Sequence, residues 1–173
     1  MKIIYPLRLL IILCSFLLLN SCIAAAVMAN QKNVAEKHIT TENNAIPPEF
    51  GKDNSTLICV LKGRNSRDKY MKKHFNENYK GKFIFVLEED LENEEYADLD
   101  KYRYIFDYDA GSTASAGYGA SGEFKTRSAP YSNYYMLDRK TDEYYYSDVK
   151  TGSFGKVILT YAQKLESLRL QNL

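Results

Sequence analysis

Cys22 is the residue whose surroundings point most directly to chemistry. It closes Leu19-Asn20-Ser21-Cys22, at the end of an eleven-residue apolar run (Leu9–Leu19) that follows Lys2 and Arg8. A positive start, an apolar stretch of about 7–15 residues and a small residue before the cut describe an export signal. A thiol at that point is what a diacylglycerol group would be attached to. The spacing therefore reads as a lipoprotein signal over residues 1–21 with Cys22 as the lipidated terminus. Asn20 departs from the small or hydroxyl residue usual at its position. Two other readings stand beside this one. Cleavage could follow Val27-Met28-Ala29, or Leu9–Ala29 could stay as an anchor, since about 20 apolar residues span a bilayer. All three export the rest of the chain. The expected location is the bacterial cell envelope, membrane-anchored, with the domain facing the periplasm or the exterior.

The other reactive residue types are sparse. Only two histidines exist, His38 and His74, and Cys59 lies inside the apolar run Leu57–Leu61. A buried thiol in such a run behaves as a small hydrophobe. No Cys or His spacing suits a metal, and no nucleophile–base set is visible. No cofactor is expected. Gly117-Tyr118-Gly119-Ala120-Ser121-Gly122 fits G-x-G-x-x-G. The dinucleotide form of that motif opens a helix, whereas Glu123–Tyr131 with Pro130 does not read as one. The segment instead reads as a flexible loop over residues 110–122, with Gly117, Tyr118, Gly119 and Gly122 as candidate partner-binding positions.

Charge is balanced overall, with 23 Lys plus Arg against 22 Asp plus Glu, but it is unevenly placed. Residues 62–82 hold eight basic side chains and residues 88–100 hold eight acidic ones. Arg64, Arg67, Lys69, Lys72 and Lys73 form a candidate basic patch on a helix. A solvated helix face is the plain reading, and contact with anionic lipid or cell-wall polymer is the functional one. An exported chain with no basic excess is not expected to meet nucleic acid. Tyr is abundant at 15 residues. A Tyr stripe marks either the buried face of a sheet or a ring-stacking surface for sugars.

Residues 22–54 contain Pro47, Pro48 and Gly51 without a regular period, and read as a flexible tether. Residues 55–173 read as one globular domain. Ser55–Lys62 and Lys82–Leu87 are strands on either side of a helix that runs from an Asn65 or Ser66 cap to Tyr79, with Gly81 after its end. Tyr102–Asp109 alternates as a third strand, with Tyr102, Tyr104, Phe106 and Tyr108 on one face. Asn133–Asp138 and Glu143–Asp148 flank a turn at 139–142. A closing helix presents Val157, Ile158, Tyr161, Ala162, Leu165 and Leu168 on one side. The expected class is α/β (or α+β): a single mixed sheet of about five strands, with a helix after strand 1 and a closing C-terminal helix.

The segment Tyr135-Met136-Leu137-Asp138-Arg139-Lys140-Thr141-Asp142-Glu143-Tyr144-Tyr145 resembles the L-D-x-x-T-G-E hairpin of a domain shared by several envelope proteins. These include the curli secretion-channel lipoprotein, the amino-terminal domain of the Tol translocation protein, and lipoprotein activators of penicillin-binding proteins. Asp142 stands where that pattern has Gly. The resemblance extends to element order over about residues 55–170. It implies a binding and assembly module with an envelope protein as partner, held to the membrane through lipid on Cys22. Two alternatives stand beside it: an exported enzyme acting on cell wall or glycan, and a carbohydrate-binding module using exposed tyrosines.

Overall fold

The computed structural model describes residues 34–118, 121, 123–149 and 153–172. The proposed lipidation site Cys22, and Gly119 and Gly122, lie outside the described residues. Branched and aromatic residues make β1 (Leu57–Leu61) and β2 (Phe83–Leu87), joined by helix α1 (Asn65–Asn78). Two short 3₁₀ turns, Glu88–Asp90 and Glu94–Tyr96, lead from β2 to β3 (Tyr104–Tyr118). β4 (Phe124–Asp138), β5 (Glu143–Tyr146) and helix α2 (Phe154–Gln171) complete the order. The five strands form one mixed sheet, β2-β1-β3-β4-β5. β1 is parallel to both β2 and β3, and the two remaining pairings are antiparallel.

Both helices cover one face of the sheet. Met71 and Phe75 of α1, and Val157, Ile158, Tyr161, Ala162 and Leu165 of α2, pack on Cys59, Phe106, Tyr134 and Met136. The alternation in β3 assigns its faces as the sequence indicates for Tyr104, Phe106 and Tyr108, but not for Tyr102, which the pattern places on the same face. Tyr104, Phe106 and Tyr108 all enter this core. Tyr102 lies ahead of the strand and joins a second, smaller core on the opposite face, with Ile58, Val60 and Val86. The acidic connector 88–103 covers that half of the sheet through Leu91 and Tyr96.

Three further expectations change. The tether is folded where it is described: Ala35, Ile39, Ile46 and Phe50 sit in the main core. Phe50 meets the Tyr104 ring edge-on at 5.1 Å, and its carbonyl accepts from Asn172 Nδ2 at 3.2 Å. The segment follows the domain surface through turns, so its apolar residues carry no period. Gly51 is needed there. Its φ is +83°, and a Cβ would stand 3.1 Å from the Arg169 backbone. Second, residues 110–118 are not a loop but the far half of β3. Third, α1 starts from Arg64 without a side-chain cap, so neither Asn65 nor Ser66 caps it, and Gly81 is not in the left-handed region. Gly81 is small for another reason: a Cβ would lie 2.3 Å from the Tyr79 hydroxyl.

The turn after β4 forms where expected. Asp142 takes a φ of +56° at the position where the resembled pattern has Gly, a conformation that Asp tolerates better than most residues.

Candidate functional site

The most distinctive feature is the β3–β4 ribbon. Its strands pair without a break from Tyr104↔Asp138 to Tyr118↔Phe124. β1 pairs with β3 at Ile105 and Phe106, and β5 pairs with β4 across Tyr135–Asp138. From Ala110 to Tyr118, and from Phe124 to Ser132, no third strand flanks the ribbon among the described residues. At about 3.3 Å per residue the arm extends roughly 30 Å past the sheet. Bonds from β3 to β4 use only half of each strand's backbone groups, so each outer edge presents the other half. Pro130 stands opposite Ser112 in this stretch, where an outer strand accommodates a residue that cannot donate. The Tyr131 ring lies across Gly111, and a Cβ there would fall 2.6 Å from it.

The loop residues singled out in the sequence are thus strand residues where they can be seen. Gly117 pairs with Lys125, and Tyr118 pairs with Phe124, at the arm's far end.

The root of the arm is held by charge. Asp107 is buried, and its Oδ2 accepts from Lys62 Nζ at 2.9 Å and from the Tyr135 hydroxyl at 2.7 Å. Its Oδ1 accepts the Tyr108 amide at 2.6 Å. Glu88 also accepts from Lys62. Burial opposes the Lys62 charge, but its bonds to the Glu88 and Asp107 carboxylates outweigh this and raise the pKa. Burial, and then the neighbouring Asp107 carboxylate, push the Tyr135 hydroxyl well above its ordinary value. This network was not foreseen. Its signal was an acid, Asp107, set between the aromatic residues of an alternating strand.

Below it, the Arg103 guanidinium donates to Asp138 through Nε at 3.0 Å and Nη2 at 2.7 Å, and to Asp53 through Nη1 at 2.9 Å. Arg139 donates to the carbonyls of Tyr96 and Tyr102. The Asp-Arg pair of the resembled hairpin therefore ties the connector and the 50s segment to the base of β4.

The tyrosines divide between the two faces. Tyr104, Tyr108, Tyr134, Tyr145 and Tyr161 are core residues. Tyr135, Tyr144 and Tyr146 cluster on the face away from the helices, with ring centroids 5.3–6.0 Å apart. Tyr144 and Tyr146 are about half exposed, at 44% and 50%.

The basic patch also divides. Arg64, Lys69, Lys72 and Lys73 are exposed, whereas Arg67 turns inward over the rings of Tyr108 and Phe154. His74 stacks on Tyr70 in a groove between α1 and α2 that no acid lines among the described residues. Burial, and then Lys73, lower its pKa. Cys59 is a free thiol in the core, with its pKa raised by burial. Among the described residues no cluster of three His, Cys, Asp or Glu could hold a metal ion. No described helix is long and apolar enough to cross a membrane. Compared with known proteins, the chain matches no family model, no curated protein and no solved structure.

Proposed function

We propose that the chain is a bacterial envelope lipoprotein acting as a non-enzymatic assembly module, anchored through Cys22, whose arm pairs with a strand of an envelope protein. The arm is the observation that carries this reading. A two-stranded ribbon is only marginally stable alone in water. One that pairs over its full length offers two edges that no third strand occupies among the described residues, where strand addition gains affinity from backbone bonds. The small residues Ala110, Ser112, Ala114 and Ala116 allow a partner backbone to come close. The likeness of residues 135–145 to the envelope assembly domains supports the same reading, as does the signal-like start.

Replacing residues 110–132 by a two-residue Asn-Gly turn tests it. The shortened protein should keep its unfolding transition and lose the envelope protein that co-purifies with the intact chain. Equal recovery of that protein would refute the role of the arm. The anchor is tested separately. Cys22→Ala should abolish labelling by a palmitate analogue, and unchanged labelling would refute it.

The exposed Tyr144 and Tyr146 favour a second reading, in which the uncovered sheet face stacks on sugar rings. Glycan-array binding that disappears in Tyr144→Ala and Tyr146→Ala would support it. No binding by the intact chain would refute it.

A further inference from the structure

The charges of the domain separate by face. Residues 64–80 and 154–171, which hold the two helices, carry nine basic side chains and three acidic ones. Residues 88–100 carry eight acids and no base. The helices cover one face of the sheet, and the acidic connector covers part of the other through Leu91 and Tyr96. Pairing sharpens the contrast. On the helix side Glu166 is taken by Arg169 at 2.7 Å, and Asp68 Oδ1 accepts the Lys62 amide at 3.2 Å. Arg64, Lys69, Lys72 and Lys73 are exposed and form no ion pair with a described residue. Lys69 and Lys73 stand one turn apart on the side of α1 opposite Met71 and Phe75, with Lys72 beside them and Glu77 one turn beyond. The 34–50 segment adds Lys37 against Glu36, Glu42 and Glu49, and Glu49 pairs with Lys52 at 2.9 Å. The positive surface is therefore centred on α1.

The chain enters the fold on the same side. Ala35 and Ile39 belong to the core beneath the helices, and residues 39–46 run along the last turns of α2 beside Lys164 and Leu168. Thirteen residues lead from Cys22 to Ala35. A chain of that length reaches at most about 45 Å fully extended, and about 20 Å as a random coil. A domain of this size is roughly 37 Å across. An anchor at Cys22 is therefore held closer to the helix side than to the acidic side.

We propose that the helix side of the domain lies on the anionic surface of the membrane that holds the anchor, with Lys69, Lys72 and Lys73 at the lipid headgroups. The inference rests on the anchored reading of Cys22 and deepens it. A bilayer containing anionic lipid presents a continuous negative surface, which matches basic side chains spread along an exposed helix. Each such side chain near it strengthens binding by roughly fivefold. The acids of the connector are repelled by the same surface and favour the same orientation. Tyr70, about half exposed next to Lys69, suits the headgroup level, where a ring meets the apolar boundary and its hydroxyl meets water. In this pose the uncovered sheet face points outward. The arm, which continues the sheet, runs along the bilayer and not away from it.

The test uses the full-length chain purified from membranes and reconstituted into vesicles of phosphatidylcholine, or of phosphatidylcholine with about one-third phosphatidylglycerol. A fluorescent residue placed at exposed Asn76 on α1, or at exposed Asn93 in the connector, reports quenching by lipids with nitroxide headgroups. Neither replacement alters the charge. In anionic vesicles quenching should be at least about threefold stronger at 76 than at 93. The difference should shrink in about 1 M salt, where the screening length falls to about 3 Å. Lys69→Gln combined with Lys73→Gln should shrink it in the same way and leave the unfolding temperature unchanged, since both side chains are exposed and unpaired among the described residues. Flotation with the neutral vesicles reads the anchor by itself. A chain that does not float overturns the anchor and the pose together. A chain that floats but is quenched equally at both positions overturns the pose alone, as does a difference that is the same in neutral vesicles or in the double variant.

Discussion

Removing the carboxylate of Asp138 should be among the costliest single changes outside the apolar core. Asp138 is 2% exposed, while Arg103, its partner, reaches it through Nε and Nη2 at 2.7–3.1 Å. Asp138 also accepts the Lys140 amide at 3.1 Å, which shapes the turn before β5. Asp138→Ala leaves the guanidinium with Asp53 alone, at 2.9 Å and closer to solvent. Breaking a buried pair from one side costs about 3–5 kcal/mol. The surviving Asp53 contact places the expected loss near the lower end, at about 3 kcal/mol. Urea unfolding at neutral pH is the assay. With a slope of about 1–3 kcal/mol per molar, the midpoint should fall by roughly 1–3 M with the slope unchanged. Asp138→Asn keeps an acceptor and should lose about half as much. A loss below about 1 kcal/mol for the alanine variant would mean that the pair behaves as a surface contact, and the reasoning would fail.

Phe50→Ala should cost about 3–5 kcal/mol in the same assay, because the ring is 3% exposed between Tyr104 and Tyr79. A free tether would lose nothing. Gly111→Val should displace Tyr131 and speed amide exchange along the arm, with the global midpoint within about 0.5 kcal/mol of the natural chain. Unchanged exchange would contradict the close packing at that pair. The bond from Arg169 holds the Glu166 carboxyl below its ordinary value near 4.5. Its contribution is complete above that value and is lost as the pH falls through the lower folded value. Stability should therefore drop below about pH 4.5 less steeply in Glu166→Gln than in the natural chain. Parallel acid-unfolding profiles would refute the assignment.

The regular elements were legible because their apolar residues form unbroken runs or keep a period. Leu57–Leu61 and Phe83–Leu87 are unbroken runs that read as buried strands, and the alternation from Tyr104 to Tyr108 requires burial on one face. The arm was not legible, because its run of Ala, Gly and Ser with a single Thr carries almost no strand signal. Its pairing is inherited from the strong register set at Ile105↔Leu137 and Phe106↔Met136 and continued outward. The folded 34–50 segment was hidden for a different reason: Ala35, Ile39, Ile46 and Phe50 are buried through turns that no periodic pattern encodes. At the candidate site, the basic stretch was visible as charge. That Arg67 alone turns inward depends on Tyr108, 41 positions away, and only the fold brings the two together.

The central claim is that the arm is a pairing surface for another protein. A photo-crosslinking residue placed in the full-length chain at Ala114 in living cells tests it most directly, with the same residue at Lys72 on exposed α1 as the control. The account predicts a discrete adduct with one envelope protein from position 114 and none from position 72. No adduct at 114, or the same adducts from both positions, would contradict it.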